Sequence, residues 1–433
     1  MPTVTIAVFV VLFVCLFLSI PIAVSLLLAS LTAALVNPAL TCDAMFAFRT
    51  LVTGLDSFVL IAIPLFILSG NLMAEGGISD RIFRFFAYFI GNKTGGMPIA
   101  VIFSCLFYGS ITGSGPATVA AIGAMTIPLL VSLGYGKSFV TSLVAVAGGL
   151  GVIIPPSIPF VVYGQASNTS VGELFIAGVL PGILIGVFLM IAAYLYCRKH
   201  GEDREKLDAN FFMIRSKSFL TILNECWLAL ICPVIILGGI YSGFFTPTEA
   251  ACVSVFYALL VSVVIYRTIK LKDIVPILES SAKSLVAMLI VAASATVFGR
   301  VLAMIQAPRL IADAITAGGI SKVTILLIIN ALLLIIGMLI DAVSAILITT
   351  PIFLPIANII GIDPIHFGII ITVNLAIGFV TPPVGVNLFV ASAMTKIPVL
   401  TIAKDSMKFI IWFFAALMII TFVPAVSLLL LGR

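Results

Sequence analysis

The chain has 433 residues, 62% of them hydrophobic and only 9% charged, with a mean hydropathy of +1.33. So little charge cannot cover the surface of a soluble domain, and repeated apolar runs of about 20 residues indicate many bilayer crossings instead. The net charge of +5 sits in the loops between those runs and implies no nucleic-acid partner.

The first apolar stretch, 1–36, is too long for a signal peptide and lacks a basic leader and a small-residue cleavage site, so it reads as mature structure. Crossings of the lipid bilayer are expected near 4–18, 20–36, 57–75, 137–166, 173–197, 227–243, 247–267, 284–305, 366–394 and 409–431. Segments 97–132 and 323–357 stand apart. Each is apolar, about 35 residues long and interrupted at its middle, by GSITGSGP from Gly109 to Pro116 and by GMLID from Gly337 to Asp341. Arms of about 14–16 residues would rise roughly 21–24 Å, short of a hydrocarbon core of roughly 30 Å. Each segment therefore reads as a re-entrant hairpin whose polar tip lies at mid-depth against protein or water. Two short crossings joined by a tight loop are the other reading.

Segments 137–166 and 366–394 carry a different break, GVIIPPS from Gly151 to Ser157 and GFVTPPV from Gly378 to Val384. A Pro pair removes two backbone donors and clashes with the preceding turn, so the helix must unwind and restart. At a shift of 227 residues (355 − 128), Pro128 falls on Pro355, Gly151 on Gly378, Pro155 and Pro156 on Pro382 and Pro383, and the tip residue Ser114 on Asp341. Each half then has three crossings, a hairpin, a broken crossing and a last crossing. Five full crossings is an odd number, so the second half enters the membrane upside down. The expected fold is an all-α polytopic membrane protein of two inverted repeats, 1–200 and 227–433, joined by a cytoplasmic connector at 201–226.

This topology puts 17 of the 22 basic residues on one side, Lys206 and Lys217 among them. Arg49, Arg309, Lys322 and Arg433 fall on the other side, and Arg300 lies within a crossing. The basic side is cytoplasmic by the positive-inside rule, so both termini face outward. Stretches 78–92 (with RIFRFFAYF), 201–224 and 266–282 mix basic residues with Phe and Leu, which suits helices lying in the interface plane. A solvated linker fits 201–224 equally well.

No enzyme signature survives. The seven Cys are singly placed, and His200 and His366 are far apart at segment ends. The Gly-rich stretch at 109–115 is not followed by the Lys-Ser/Thr of a phosphate loop. Energy must then come from an ion gradient, and no organic cofactor is expected. Free N–H groups at restarted helices suit an anionic substrate, whereas free carbonyls and hydroxyls suit sodium. Two sodium sites follow from the repeat. The first would use Ser110, Thr112, Ser114, Gly151 and Pro155. The second would use Gly337, Asp341, Ser344, Gly378, Thr381 and Pro382. Alternatively these residues only cap helices, with Ser114 and Asp341 as caps and Pro116 and Pro383 at first helical positions. Arg300 is the basic residue deep in a crossing, and buried charge in a membrane is functional by default. Its partner is either a substrate carboxylate or Asp341. Ser157, Pro156, Pro383 and Asn387, at the breaks, are the other candidate substrate contacts. Glu249 reads as a first-turn residue capped by Thr246 or Thr248.

The motifs GSITGSGPATVAAIGAMTIP, GGLGVIIPPSIPFVVYG, YSGFFTPTEAA and GFVTPPVGVNLFVAS resemble those of the large membrane subunit of TRAP (tripartite ATP-independent periplasmic) transporters, over essentially the whole chain. The resemblance implies sodium-driven uptake of an organic acid across the bacterial inner membrane, with both termini periplasmic. It implies an elevator mechanism, in which hairpins and broken helices move as one body against a scaffold. It also implies two partners, a periplasmic substrate-binding protein and a small four-helix membrane subunit, the latter expected as a separate chain. The family includes carriers for sialic acid, placed first here on overall resemblance, and for C4-dicarboxylates. A self-sufficient sodium–carboxylate symporter with similar hairpins is the competing reading.

Overall fold

The computed structural model describes residues 2–216, 218–307, 309–310 and 320–433. Lys217, counted above on the cytoplasmic side, lies outside them. Among the described residues every regular element is helical, and nine helices are long and apolar enough to cross a membrane.

Two helices are buried all round, as an element apolar on every face must be. They are Lys137–Gly148, buried from Phe139 onward and continued by a buried 3-10 turn at Gly149–Val152, and Pro364–Gly378, buried from Ile365 onward. Both run into the tandem-Pro breaks and restart as Ile158–Ser167 and Val386–Thr395. Both Pro-Pro peptides are cis. The first hairpin is Gly96–Thr112 and Gly115–Ser132, and the second is Lys322–Leu339 and Ala342–Ile359. The packing is crosswise. Ile158–Ser167 lies against the second hairpin's return arm, and Val386–Thr395 lies against the first hairpin's return arm. Hairpins and broken helices thus form one central body.

A wall of helices stands beside it. Leu271–Met304 packs on Ile22–Val36, Ala44–Leu55 and Ala62–Glu75, and Ala62–Glu75 packs on Pro247–Leu259 and the first hairpin. Three expectations are corrected here. Residues 271–282 are not a separate interfacial helix, because they form the first turns of the unbroken Leu271–Met304. The last crossing is Val399–Phe422 rather than 409–431, because Pro424 cannot continue the helix. The hairpin arms have 17 or 18 residues, so at 1.5 Å each they rise about 26–27 Å and length alone does not separate a hairpin from a pair of crossings. The sequence reading also missed Ala44–Leu55, a half-exposed helix capped by Asp43, whose carboxylate accepts from Phe46 N at 2.8 Å. A shift of 227 carries Ala44–Leu55 onto 271–282 (44 + 227 = 271).

Candidate functional site

Each hairpin tip meets the break of a broken helix, through glycines that let backbone approach backbone. A Cβ on Gly109 would stand 2.6 Å from Gly151 Cα, and one on Gly151 would stand 2.8 Å from the Ser114 carbonyl and touch Thr118 Oγ1. In the second half a Cβ on Gly378 would stand 2.5 Å from the Gly337 carbonyl oxygen. The pairings expected from the sequence, tip 110–115 with break 151–157 and tip 337–344 with break 378–383, are therefore spatial neighbours.

The two junctions differ. At the first, Ser110, Thr112, Gly151, Pro155, Pro156 and Ser157 are all buried. Thr118 Oγ1 donates to the Ser114 carbonyl at 2.8 Å and lies 3.3 Å from Thr112 Oγ1. Three neutral oxygens thus gather where the chain turns through Gly113, whose carbonyl accepts from Ile158 N at 3.4 Å. Neutral oxygens of this kind suit a hard monovalent cation. Ser110 does not join them, because its hydroxyl turns back to the Phe107 carbonyl at 2.7 Å. Ser157 donates to the Val152 carbonyl at 2.6 Å and caps no N–H.

At the second junction Asp341, Pro383 and Val384 are exposed. The Asp341 carboxylate caps the return arm, accepting from Ser344 N at 3.1 Å and from Ser344 Oγ at 2.6 Å. Thr381 Oγ1 returns to the Ile377 carbonyl at 2.7 Å. Pro383 is not a first-turn residue as expected. The helix restarts only at Val386, after Gly385 turns the chain through a φ of +57°. Asn387 is buried where the second broken helix crosses the first hairpin tip. Its Nδ2 donates to the Ala145 carbonyl at 3.1 Å, while its Oδ1 finds no partner among the described residues.

Arg300 sits elsewhere. It lines a cavity of about 390 Å³ between body and wall, with Gly54, Leu60, Thr296 and Gly299 on the wall side and Gln165, Asn168, Leu347 and Pro351 on the body side. That volume is within the range of small-molecule sites. Ser57 Oγ bridges the two sides by donating to Gln165 Oε1 at 2.7 Å. Among the described residues Arg300 makes no hydrogen bond or ion pair, and Asp341 is occupied with Ser344. The other candidate substrate contacts, Ser157, Pro156, Pro383 and Asn387, do not line this cavity. Thr246 and Glu249 form the expected reciprocal cap, with Thr246 N donating to Glu249 Oε2 at 2.8 Å.

Sequence reasoning missed Thr118, Gln165 and Ser57. Thr118 has no counterpart to announce it, since the shift of 227 puts Ala345 in its place (118 + 227 = 345). Gln165 and Ser57 are 108 positions apart and meet only in the folded chain.

The sequence profile of the family described as "Tripartite ATP-independent periplasmic transporter, DctM component" matches residues 9–426. The chain is 45% identical to the isethionate TRAP transporter permease DctMQ of Oleidesulfovibrio alaskensis, over 88% of this chain and 59% of that longer one. It is 42% identical to the C4-dicarboxylate TRAP transporter large permease of Pseudomonas aeruginosa, over 87% of this chain and 86% of the relative. It is 36% identical to the sialic acid TRAP transporter large permease of Vibrio cholerae, over 89% of each. Among solved structures the fold is similar to the YdaH transporter of Alcanivorax borkumensis, with a TM-score of 0.62 at 16% identity over 90% of each chain.

Proposed function

Because the chain belongs to the DctM family of TRAP transporter large permeases, we propose that it is the substrate-translocating subunit of a sodium-driven importer of a small organic acid. The cavity around Arg300 is the observation that carries this reading. Arg300 lies in the last turns of Leu271–Met304 and is exposed to the cavity, not deep in the crossing as the sequence suggested. Facing a cavity with no protein counter-charge among the described residues, it fits a bound carboxylate, held bidentately. Isethionate, C4-dicarboxylates and sialic acid, named for the relatives, are all anions. The higher identities belong to the relatives named for the smaller ions, which favours a small acid over sialic acid as substrate.

The two halves, 1–200 and 227–433, are inverted copies, with 201–226 and the basic loops cytoplasmic and both termini periplasmic. Supporting this, each tip touches the middle of a helix that continues beyond it on both sides, as a tip at mid-depth would. Hairpins and broken helices move as one body along the wall. The cavity at their boundary, bridged by Ser57 and Gln165, suits that motion. Two sodium ions bind at the tip–break junctions. Thr112, Ser114 and Thr118 serve the first, and Gly337, Asp341 and Gly378 serve the second. A periplasmic binding protein delivers the substrate, and a small membrane subunit enlarges the wall.

The test is uptake into proteoliposomes holding the chain with its small subunit, supplied with binding protein and an inward sodium gradient. Arg300→Ala should lower uptake by about 30-fold or more, the loss of 2 kcal/mol or more from a broken charged pair, with the protein still folded. Near-normal transport by that variant overturns the substrate role. Full uptake on a proton gradient alone overturns the ion. Uptake by the chain without binding protein overturns the tripartite reading in favour of a stand-alone symporter.

A further inference from the structure

A second cavity lies between the amphipathic helix Ile78–Ile90 and the connector helix Arg204–Arg215, at the start of Phe219–Tyr241. Its volume is about 460 Å³. Lys93 and Arg215 line it together with Tyr88, Phe89, Phe211 and Phe219, and no acidic side chain among the described residues does.

The cations here differ from their neighbours. Arg84 pairs with Asp80 at 2.9 Å and Lys206 with Asp203 at 2.9 Å. Among the described residues Lys93 and Arg215 have no carboxylate partner. Arg215 is held instead by aromatic faces, with its guanidinium 5.4 Å from the Phe211 ring and 5.8 Å from the Tyr88 ring. Tyr88, Phe89 and Phe219 form the floor, with ring centroids 5.6 to 6.0 Å apart. Cation–π contact fixes where the guanidinium points without neutralising it. Next in the chain to the lining residues Phe211 and Phe219, Phe212 and Leu220 are 76% and 71% exposed. Two uncompensated cations, one of them oriented by aromatic rings, beside exposed apolar groups at a membrane interface match a molecule with an anionic head and acyl tails.

We propose that this cavity binds the headgroup of an anionic phospholipid of the cytoplasmic leaflet. Lys93 and Arg215 meet the phosphate, and the aromatic floor and the apolar groups beside it meet the glycerol and upper acyl chains. Placement in that leaflet rests on the orientation proposed above, whereas the pocket chemistry does not. The site would anchor the connector, which joins the two halves, to the membrane surface.

The experiment is native mass spectrometry of the purified full chain, delipidated in detergent and titrated with phosphatidylglycerol or phosphatidylcholine. Wild type should retain phosphatidylglycerol in preference. The Lys93→Gln/Arg215→Gln double variant should bind it roughly 20- to 30-fold more weakly, from about fivefold per cation, while Arg215→Lys keeps most of the preference. Thermal unfolding of each variant checks that it is folded. Equal binding of the two lipids, or an unchanged double variant in a folded protein, overturns the proposal. Displacement by millimolar inorganic phosphate reassigns the cavity to free anions. Loss of lipid when the small subunit binds reassigns this face to a protein interface. Lipid binding in detergent is indifferent to sidedness, so a wrong orientation would show only in the separate labelling of Lys206→Cys.

Discussion

Replacing Gly378 with Ala adds one methyl group where the second broken helix crosses the second hairpin tip. The new Cβ would stand 2.3 Å from the Gly337 carbonyl carbon and 2.5 Å from its oxygen, where ordinary contact begins at 3.4 Å. Tip and break must separate by about 1.1 Å (3.4 − 2.3), and all these contacts are backbone, which no rotamer change relieves. Overpacking of this kind costs about 1–3 kcal/mol. A shift of 1.1 Å also exceeds the roughly 0.2 Å tolerance of metal–ligand distances, so a sodium site built from these carbonyls would be lost or badly weakened. The expected result is a lower melting temperature and a half-saturating sodium concentration raised about tenfold or more. Uptake is measured in proteoliposomes, and sodium-induced stabilisation by thermal unfolding of the purified chain. Gly238→Ala is the control, since its Cβ would meet open space and Ala is the better helix former by roughly 0.5–1 kcal/mol. Wild-type melting for Gly378→Ala would refute the packing argument. A lowered melting temperature with unchanged sodium dependence would keep the packing and refute the ion site.

At the first tip two hydroxyls should behave oppositely. Thr118→Val removes an oxygen from the Thr112–Ser114 cluster and should raise half-saturating sodium about tenfold, the equivalent of roughly 1.4 kcal/mol, whereas Ser110→Ala should stay within about twofold because its hydroxyl serves Phe107. Equal effects in a sodium titration would sink this assignment. The Glu202 carboxylate, 1% exposed, accepts from the Tyr135 hydroxyl at 2.5 Å and from Gly95 N at 3.0 Å, and pairs with Arg204 at 3.4 Å. It staples both loops at the base of the first hairpin. Burial and the neighbouring Glu202 push Tyr135 above the usual tyrosine range, so it remains a protonated donor. Glu202→Gln should cost about 1–3 kcal/mol in thermal or denaturant unfolding, and no change would mean the loops are held otherwise. Lys206→Cys should react with impermeant maleimide only from the cytoplasmic side, and external labelling would invert the topology.

Much of the fold was legible because membrane spans, Pro breaks and charge asymmetry are local or statistical properties. Tandem Pro forces an interruption wherever it occurs, and both interruptions lie where Gly151-to-Ser157 and Gly378-to-Val384 placed them. Type and spacing offered Asp341 as a cap and narrowed the cap before Glu249 to Thr246 or Thr248, and the fold uses Asp341 and Thr246. Helix limits were less legible. The amphipathic turns at 271–282 look interfacial by composition, yet they continue without a break into an apolar helix, and composition does not report continuity.

By itself the sequence determined the solvent, the number and position of the breaks and the spacing of 227 between them, because each depends on residues close in the chain. Only the tertiary structure decided that Ser110 turns away while Thr118 turns in, and that Arg300 faces a cavity rather than Asp341. It also decided that Ser57 meets Gln165 across the boundary of body and wall. These outcomes depend on how helices pack on one another, and no periodicity or motif within one segment encodes which face of another it will meet.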